Sequence, residues 1–476
     1  MPILWVAQQI AWRTGEALMD LLNKTHLGRL AGGILLCCTA GLAFGADLQQ
    51  CVNIALKQNP DILASQSQLA QAESALSQAQ GQRLPKLTAS VTGTRTNDAL
   101  NAFGLKLSQR NATFNDFGIS QFQGIGNVAP AALNYPDPVT NYNTRLELQI
   151  PLYNGGMISG YVDQAKAYIK AAQQGNQAAR QQVIFHVIQA YQGVHTAHAY
   201  VNVAQQAEAA AEAYVKTTQN LLKEGVVVRS DLLFAQVNLA NVRVNLEEAR
   251  RSEAAAIDQL HLLLGLPLDE KLEIGPDFTP TALSGNVANL QDEAVATNPG
   301  LLAMRNQLDA AGAGVKVAGA DYYPHLNAIV RQDWNAPTFQ QAASSYTIAG
   351  VLSWNIFDMG VTSGSVGRAE ASRAELQTRL KQAEEGVRFQ VADAWRGSAE
   401  AESRVSARTS AVAQAEEAQR LVAKRYENGV TTMVEVLAAQ AQLDKARAEK
   451  VAAHYQLTLQ RSALRLAVGK LDSDQL

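Results

Sequence analysis

A chain of 476 residues with a formal net charge of −3 and no cluster of Lys and Arg excludes a nucleic-acid binder that works through a basic face. The length would suit two to four ordinary domains, but aromatic residues make up only 6% and charged residues 17%, which argues against a set of ordinary globules. Long Ala- and Gln-rich tracts with few Gly or Pro predict a high helical content instead.

The N-terminus reads as an export signal over residues 1–46. Lys24 and Arg29 precede the apolar run LAGGILLCCTAGLAF, and small residues follow at Ala43, Gly45 and Ala46, which places cleavage near Gly45 or Ala46. The stretch before the apolar run is long for such a signal, so Met19 is a second candidate start. Leu36 stands before Cys37 where a lipoprotein signal needs a small residue, so no lipid anchor is expected. The mature chain keeps Cys51 alone, which excludes an internal disulfide. No later apolar run reaches the 18 residues of a membrane-spanning helix. An exported chain of this kind is periplasmic, secreted, or built into a membrane as strands.

The remaining elements come twice. In a first repeat, 47–265, Asn59 caps a helix predicted over 60–83, with Pro60 in its first turn and Pro85 ending it. Leu87, Ala89 and Val91 then alternate with Lys86, Thr88 and Ser90 in a strand over 86–95. A loop rich in Asn, Gly, Phe and Pro, roughly Asn97 to Asn141, leads to a second strand over 143–153, where Leu146, Leu148, Ile150 and Leu152 oppose Arg145, Glu147 and Gln149. A helix predicted over 157–222 has no Pro, and at 1.5 Å per residue it is on the order of 100 Å long. It breaks at GVVVRSD, and a return helix over 231–264 follows. Residues 266–289 form a linker.

The second repeat, 290–469, is set in register with the first. Asn59-Pro60 and Pro85-Lys-Leu87 recur 239 residues later as Asn298-Pro299 and Pro324-His-Leu326. From the LYNGG corner at 152–156 onward the offset is 204: Ile356-Phe-Asp-Met-Gly360, then Tyr191 with Trp395, Gly225 with Gly429, Asp231 with Glu435, and Gly265 with Gly469. The difference of 35 residues falls in the 97–141 loop, which is longer in the first repeat. The second repeat therefore contains a helix over 299–322, strands over 325–334 and 345–357 with Tyr346, Ile348, Leu352, Trp354 and Ile356 on one face, a long helix over 361–426 and a return helix over 435–468, before a tail of 470–476.

Each strand is about ten residues, the length that crosses a bilayer when tilted. Two repeats give four strands, which cannot close a barrel, and open strand edges are not tolerated in lipid. Three copies would supply twelve strands. The doubled Asn-Pro and Pro spacing, the LYNGG and IFDMG corners, and the paired Gly-Val turns followed by Asp231 or Glu435 resemble the TolC-like family of outer-membrane efflux proteins over the whole mature chain.

That resemblance implies a mainly α fold with transmembrane β: a homotrimeric, twelve-stranded barrel in outer-membrane lipid, continued by a long periplasmic α-helical barrel, with 265–290 and the tail as an equatorial belt. It implies a passive exit duct, opened by a periplasmic adaptor and driven by an inner-membrane RND, ABC or MFS transporter, with no cofactor. It places the two breaks at the periplasmic tip. Gly225, Val226, Val227, Gly429, Val430 and Thr431 match adaptor-contacting positions, and Glu435 matches the first acid of a constriction ring whose second acid falls on Ala438. Asp231 and Tyr426 match two members of the lock that holds the tip shut; the basic member falls on Thr431, and Arg229 is the candidate substitute. Three Glu435 carboxylates around a threefold axis would favour cations. The simpler role for Asp231 and Glu435 is to cap the return helices, where acids suit the dipole.

His186, His195 and His198 share one helix without a carboxylate or thiol nearby in sequence, which reads as a helix surface and not a metal site. No Ser/His/Asp set, nucleotide loop or carboxylate pair marks an enzyme. Two rivals fit the helices. A periplasmic adaptor would carry one hairpin inside a small β domain, and a coiled-coil structural protein would lack the alternating strands.

Overall fold

The computed structural model describes residues 45–473 except 123, 125–128, 271 and 339–341. The chain divides into a small unit, Met1–Gly45 with Lys271–Glu273, and a large one, Ala46–Glu270 with Ile274–Leu476. The small unit lies almost wholly outside the described residues, as do the export-signal reading, Cys37 and Cys38. Everything below concerns the large unit.

Its elements run α1 (Leu48–Gln58), α2 (Pro60–Gly81), β1 (Lys86–Thr96), α3 (Ala99–Ser108), β2 (Val139–Asn154), α4 (Met157–Lys223), α5 (Arg229–Leu264), α6 (Val287–Thr297), α7 (Pro299–Gly319), β3 (His325–Ala336), β4 (Ala343–Ser353), α8 (Val361–Glu427) and α9 (Met433–Val468). Asn59 and Asn298 cap α2 and α7 through their side-chain oxygens, each with Pro in the first turn. The same two side chains donate to the last turns of the return helices, Asn59 Nδ2 to Leu263 O at 3.0 Å and Asn298 Nδ2 to Ala467 O at 3.3 Å. One Asn thus starts a helix and ties it to the end of its own repeat.

The repeat reaches further than the pattern suggested. Two short helices, α1 and α6, stand in the same 239-residue relation and are capped by Asp47 and Asn286. The return helices begin two residues earlier than the expected 231 and 435, at Arg229 and Met433. The 97–141 loop holds a ten-residue helix, α3, capped by Asp98. The strand expected over 345–357 ends at Ser353, so Trp354 and Ile356 lie beyond it. Its partner explains this: Ser353 pairs with His325, and Pro324 before it has no N–H to extend the ladder. Trp354 instead donates its indole N–H to Tyr322 O at 3.1 Å.

The four strands form one antiparallel sheet in the order β1-β2-β3-β4, with both outer edges open. Register sorts its faces. Leu87, Leu148, Val330 and Ile348 lie in one cross-strand row, and Ser90, Arg145, Asp333 and Ser345 in another on the opposite face. Leu87, Tyr346 and Ile348 are each more than 65% exposed in the single chain. The first face suits lipid and the second an aqueous bore. On the bore face Asp333 is held between Arg145 (2.8 Å) and Arg331 (3.0 Å).

The two long helices α4 and α8, each 67 residues, are followed by the 36-residue return helices α5 and α9, and each pair packs side by side. α4 also packs on α7 and α9, which joins the repeats. The pairing of long and return helices is stapled alike in both. Arg243 binds Glu212 at 2.7 Å, and 204 residues later Arg447 binds Glu416 at 2.9 Å. Residues 276–281 bind the middle of α4 and the C-terminal end of α9: Tyr191 donates to Pro276 O, Gln192 to Asp277, Arg461 to Pro280 O and Arg465 to Thr281. Cys51 is buried in α1, and burial pushes its thiol up to about 11. Among the described residues no helix is long and apolar enough to cross a membrane.

Candidate functional site: the joined tips of the two hairpins

Both helix breaks are turns of one geometry. Gly225 (φ 78°) and Gly429 (φ 69°) take the left-handed conformation after the long helices. In the first turn Gly225 N bonds Leu222 O and Val226 N bonds Leu221 O; in the second Gly429 N bonds Tyr426 O and Val430 N bonds Arg425 O. This is the Schellman closure, in which glycine avoids the Cβ penalty and two end carbonyls gain partners. Extended residues Val228 and Thr432 then start the return helices.

The turns meet. A Cβ on Gly429 would lie 3.3 Å from Val226 Cγ1, while a Cβ on Gly225 would point into open space. Behind them Tyr426, Met433, Val436 and Ala235 are buried together, with Tyr214, Leu221, Val227, Val422 and Leu437 around them. Val226, Val228, Val430 and Val434 stay outside, each at least half exposed.

Each expected residue has a definite place. Tyr426 is 2% exposed, and its hydroxyl meets Thr218 Oγ1 of α4 at 3.2 Å. Burial raises its pKa, and the nearby Asp231 charge adds to this. Asp231 and Glu435 occupy the first turns of α5 and α9. Glu435 is exposed; its N–H donates to the Thr432 hydroxyl at 3.4 Å, and its carboxylate accepts from the Thr431 hydroxyl. The capping role is therefore present in the chain itself. Thr431, where a basic lock residue was expected, spends its hydroxyl on Glu435. Arg229 is exposed and forms no ion pair among the described residues of the chain.

Above the turns lies a polar chain the sequence did not announce. Gln419 of α8 donates to the Tyr214 oxygen of α4, and the Tyr214 hydroxyl donates to Gln440 Oε1 of α9 at 3.1 Å. Gln440 Nε2 donates to Asp444 Oδ1 at 2.9 Å. Thr218, the partner of Tyr426, bonds Tyr214 O at 2.8 Å. One residue of the first hairpin is thus tied to both helices of the second. Burial raises the pKa of Asp444 above the ordinary carboxylate range, against the Gln440 hydrogen bond and the Arg447 charge. Burial likewise raises Tyr214. The signal was there: Val436, Gln440 and Leu443 are buried at helical spacing, and a Gln inside an apolar stripe needs a polar partner.

The histidines of α4 separate. His186 meets Gln182, and His198 Nδ1 lies 2.6 Å from Glu253 of α5, so a carboxylate does neighbour it in space. His195 packs on Tyr191 at 4.9 Å between ring centroids. Among the described residues no group of three His, Cys, Asp or Glu side chains could hold a metal ion.

The outer membrane efflux protein family model matches residues 51–266 and 290–470, the two repeats. The chain belongs to the outer membrane efflux protein family. It is 24% identical over 347 residues to the alkaline protease secretion protein AprF of Pseudomonas aeruginosa, covering 71% of each chain. It is 24% identical over 346 residues to the outer membrane efflux protein BepC of Brucella suis biovar 1, covering 71% of this chain and 75% of that one. The structure of the outer membrane protein VceC from Vibrio cholerae superposes with a TM-score of 0.71 at 20% identity, over 89% of this chain and 96% of that one. As an outer membrane efflux protein the chain carries four strands of a trimeric twelve-stranded outer-membrane barrel, continued through the periplasm by its helices. Its lipid-facing row, open sheet edges and 67-residue helices are the parts such a channel needs from one subunit.

Proposed function

We propose that this outer membrane efflux protein is the exit duct of a tripartite efflux or type I secretion system. A homotrimer conducts cargo passively from the periplasm to the outside, performs no chemistry of its own, and is opened at the tip by a periplasmic adaptor. Energy comes from an inner-membrane RND, ABC or MFS transporter. The observation that carries this reading is the tip: two turns closed against each other over a buried Tyr426 cluster, with four valines left exposed around them. Exposed valines on a rigid turn have no use within the chain, and they fit an apolar partner that competes for the contact between hairpins. Gly225, Val226, Val227, Gly429, Val430 and Thr431 are the proposed adaptor contacts. Asp231, Glu435 and Tyr426 are the proposed constriction and gating residues, with Tyr426 acting from inside the wall.

AprF is named for protease secretion and BepC for efflux, and the chain is equally identical to both. Cargo choice accordingly rests with the transporter. The test is reconstitution: the purified trimer in a planar bilayer should conduct ions in rare openings, and adaptor should raise their frequency. Photo-crosslinking from Val430 in cells should capture a periplasmic protein carrying its own helical hairpin. A trimer that conducts freely without adaptor, or a tip that captures nothing, would overturn the proposal.

A further inference from the structure

The first-repeat loop is not a free excursion at the end of the barrel. Its described residues are folded: Phe103 and Phe117 stack edge-to-face at 4.7 Å, Lys106 pairs with Asp116, and the Gln121 side chain accepts from Ala131 N at 2.7 Å. The Lys106 hydrogen bond holds the Asp116 carboxyl down at about 2, so the carboxylate stays ionised at any ordinary pH. Two ties fix the position of the folded loop. Gln109, at the end of α3, donates to Thr140 O at 2.8 Å and to Asn141 Oδ1 at 2.9 Å. Asn141 belongs to the polar face of the sheet, where it donates on to Asn335 of β3 at 2.9 Å. The next residue, Arg110, reaches further and donates to Ser344 O of the far edge strand β4 at 2.9 Å. The loop therefore lies across the bore-facing side of the sheet, from β2 to β4, at the end away from the helices. Ala102, Gln109, Asn141 and Asn335 are all buried there.

A second, independent observation singles out Arg110. Its φ is 55°, left-handed for a residue with a long side chain. It occupies the position after α3 that glycine fills at the tips, with Asn111 N on Lys106 O and Arg110 N on Leu107 O closing the same Schellman geometry. A side chain kept where glycine is easier points to a use for that side chain, and the guanidinium on β4 supplies it. The second repeat joins its strands over residues 337–342 alone, so each chain carries one such loop.

Scale decides the consequence. Twelve strands about 4.8 Å apart and tilted by about 40° close a cylinder roughly 24 Å across between backbones. Three helices about 10 Å wide take up about half of that cross-section, and the inward side chains of the strands narrow the remainder.

We propose that residues 97–122 with 129–138 form a lid, and that three copies, each strapped over the bore by Gln109 and Arg110, close the outer mouth until cargo displaces them. This second barrier is at the opposite end from the tip and does not depend on how the tip opens. The test is reached from outside. Ser90 lies on the polar face beneath the lid, paired with Arg145. A Ser90→Cys chain in intact cells is treated with a membrane-impermeant maleimide on a polyethylene-glycol chain; Cys51 is buried and adds little background. Labelling should be slow compared with Tyr135→Cys, a position 86% exposed on the insertion. Adding Gln109→Ala and Arg110→Gly should speed it by about tenfold or more, since the three hydrogen bonds that strap the insertion to the sheet are lost. Arg110→Lys, which can still donate to Ser344 O, should keep it slow. An insertion cut to an Asn-Gly turn should label fastest, provided it still extracts as a trimer. A Ser90→Cys chain that labels as fast as Tyr135→Cys, or a double variant that labels no faster than its parent, would overturn the lid.

Discussion

Tyr214→Phe removes one oxygen and cuts the two hydrogen bonds by which Tyr214 ties the first hairpin to the second. The phenolic oxygen accepts from Gln419 and donates to Gln440 Oε1 at 3.1 Å, while the ring packs in the cluster around Tyr426. The ring remains in Phe, so the packing is kept and only the hydrogen bonds go. Each is worth about 1 kcal/mol net, which makes the loss about 2 kcal/mol per chain. If opening parts the hairpins, that energy favours the open tip by roughly 30-fold in each chain, and by more when three chains open together. The assay is the open probability of the purified trimer in a planar bilayer at fixed voltage. Single-channel amplitude should not change, because the substitution removes a tie and alters no charge. An open probability within about twofold of the parent, with the trimer intact, would refute the claim that these bonds hold the tip closed.

Other expectations separate the contributions at the tip. Gly429→Ala should destabilise the closed tip more than Gly225→Ala: both pay about 1 kcal/mol for the left-handed backbone, but only the Gly429 methyl meets Val226, at 3.3 Å; adaptor-free open probability of the pair reads the difference. Asp444 has a raised folded pKa, so its contribution to the closed state is full below the ordinary carboxylate value and is lost as pH rises through the raised one. The groups that face it are Gln440, Arg447 with its partner Glu416, and Tyr214 through Gln440. Open probability should therefore climb from acid to neutral pH in the parent and stay flat in Asp444→Asn. Glu435→Ala should lower cation selectivity, measured as reversal potential in a salt gradient; unchanged selectivity would place Glu435 off the conducting path and leave it the cap that Thr431 and Thr432 already make it.

The fold was legible where a residue acts on its own neighbours. Asn59 and Asn298 announce caps, Pro85 and Pro324 announce ends, and alternation from Lys86 to Val91 announces a strand, because each effect is settled within a few residues. Helices α1 and α6 escaped because they are short, eleven residues each, although Leu48, Cys51, Val52, Ala55 and Leu56 are buried at helical spacing and Asp47 and Asn286 stand in the same 239-residue register as the Asn-Pro pairs. The folded insertion escaped for another reason: nothing in its Asn- and Gly-rich composition says that Gln109 and Arg110 will find β2 and β4, the latter 234 residues away.

The tip was legible only in outline, and Thr431 shows why. Read as a local position it is a missing cation. In the structure the hairpins are joined further inward, by Tyr214, Gln419, Gln440 and Thr218 with Tyr426, and Thr431 bonds Glu435. Periodicity can say that Gln440 faces inward, but its partner Tyr214 lies 226 residues away and is fixed by how two long hairpins slide against each other. The substitution also changes the physics of the joint. An exposed ion pair weakens as salt rises, whereas neutral hydrogen bonds in a half-buried seam are barely screened. If the tip opens as proposed, a joint of this kind would hold through shape and desolvation, and raising the ionic strength alone should leave the adaptor-free open probability unchanged; an open probability that rises with salt would refute this.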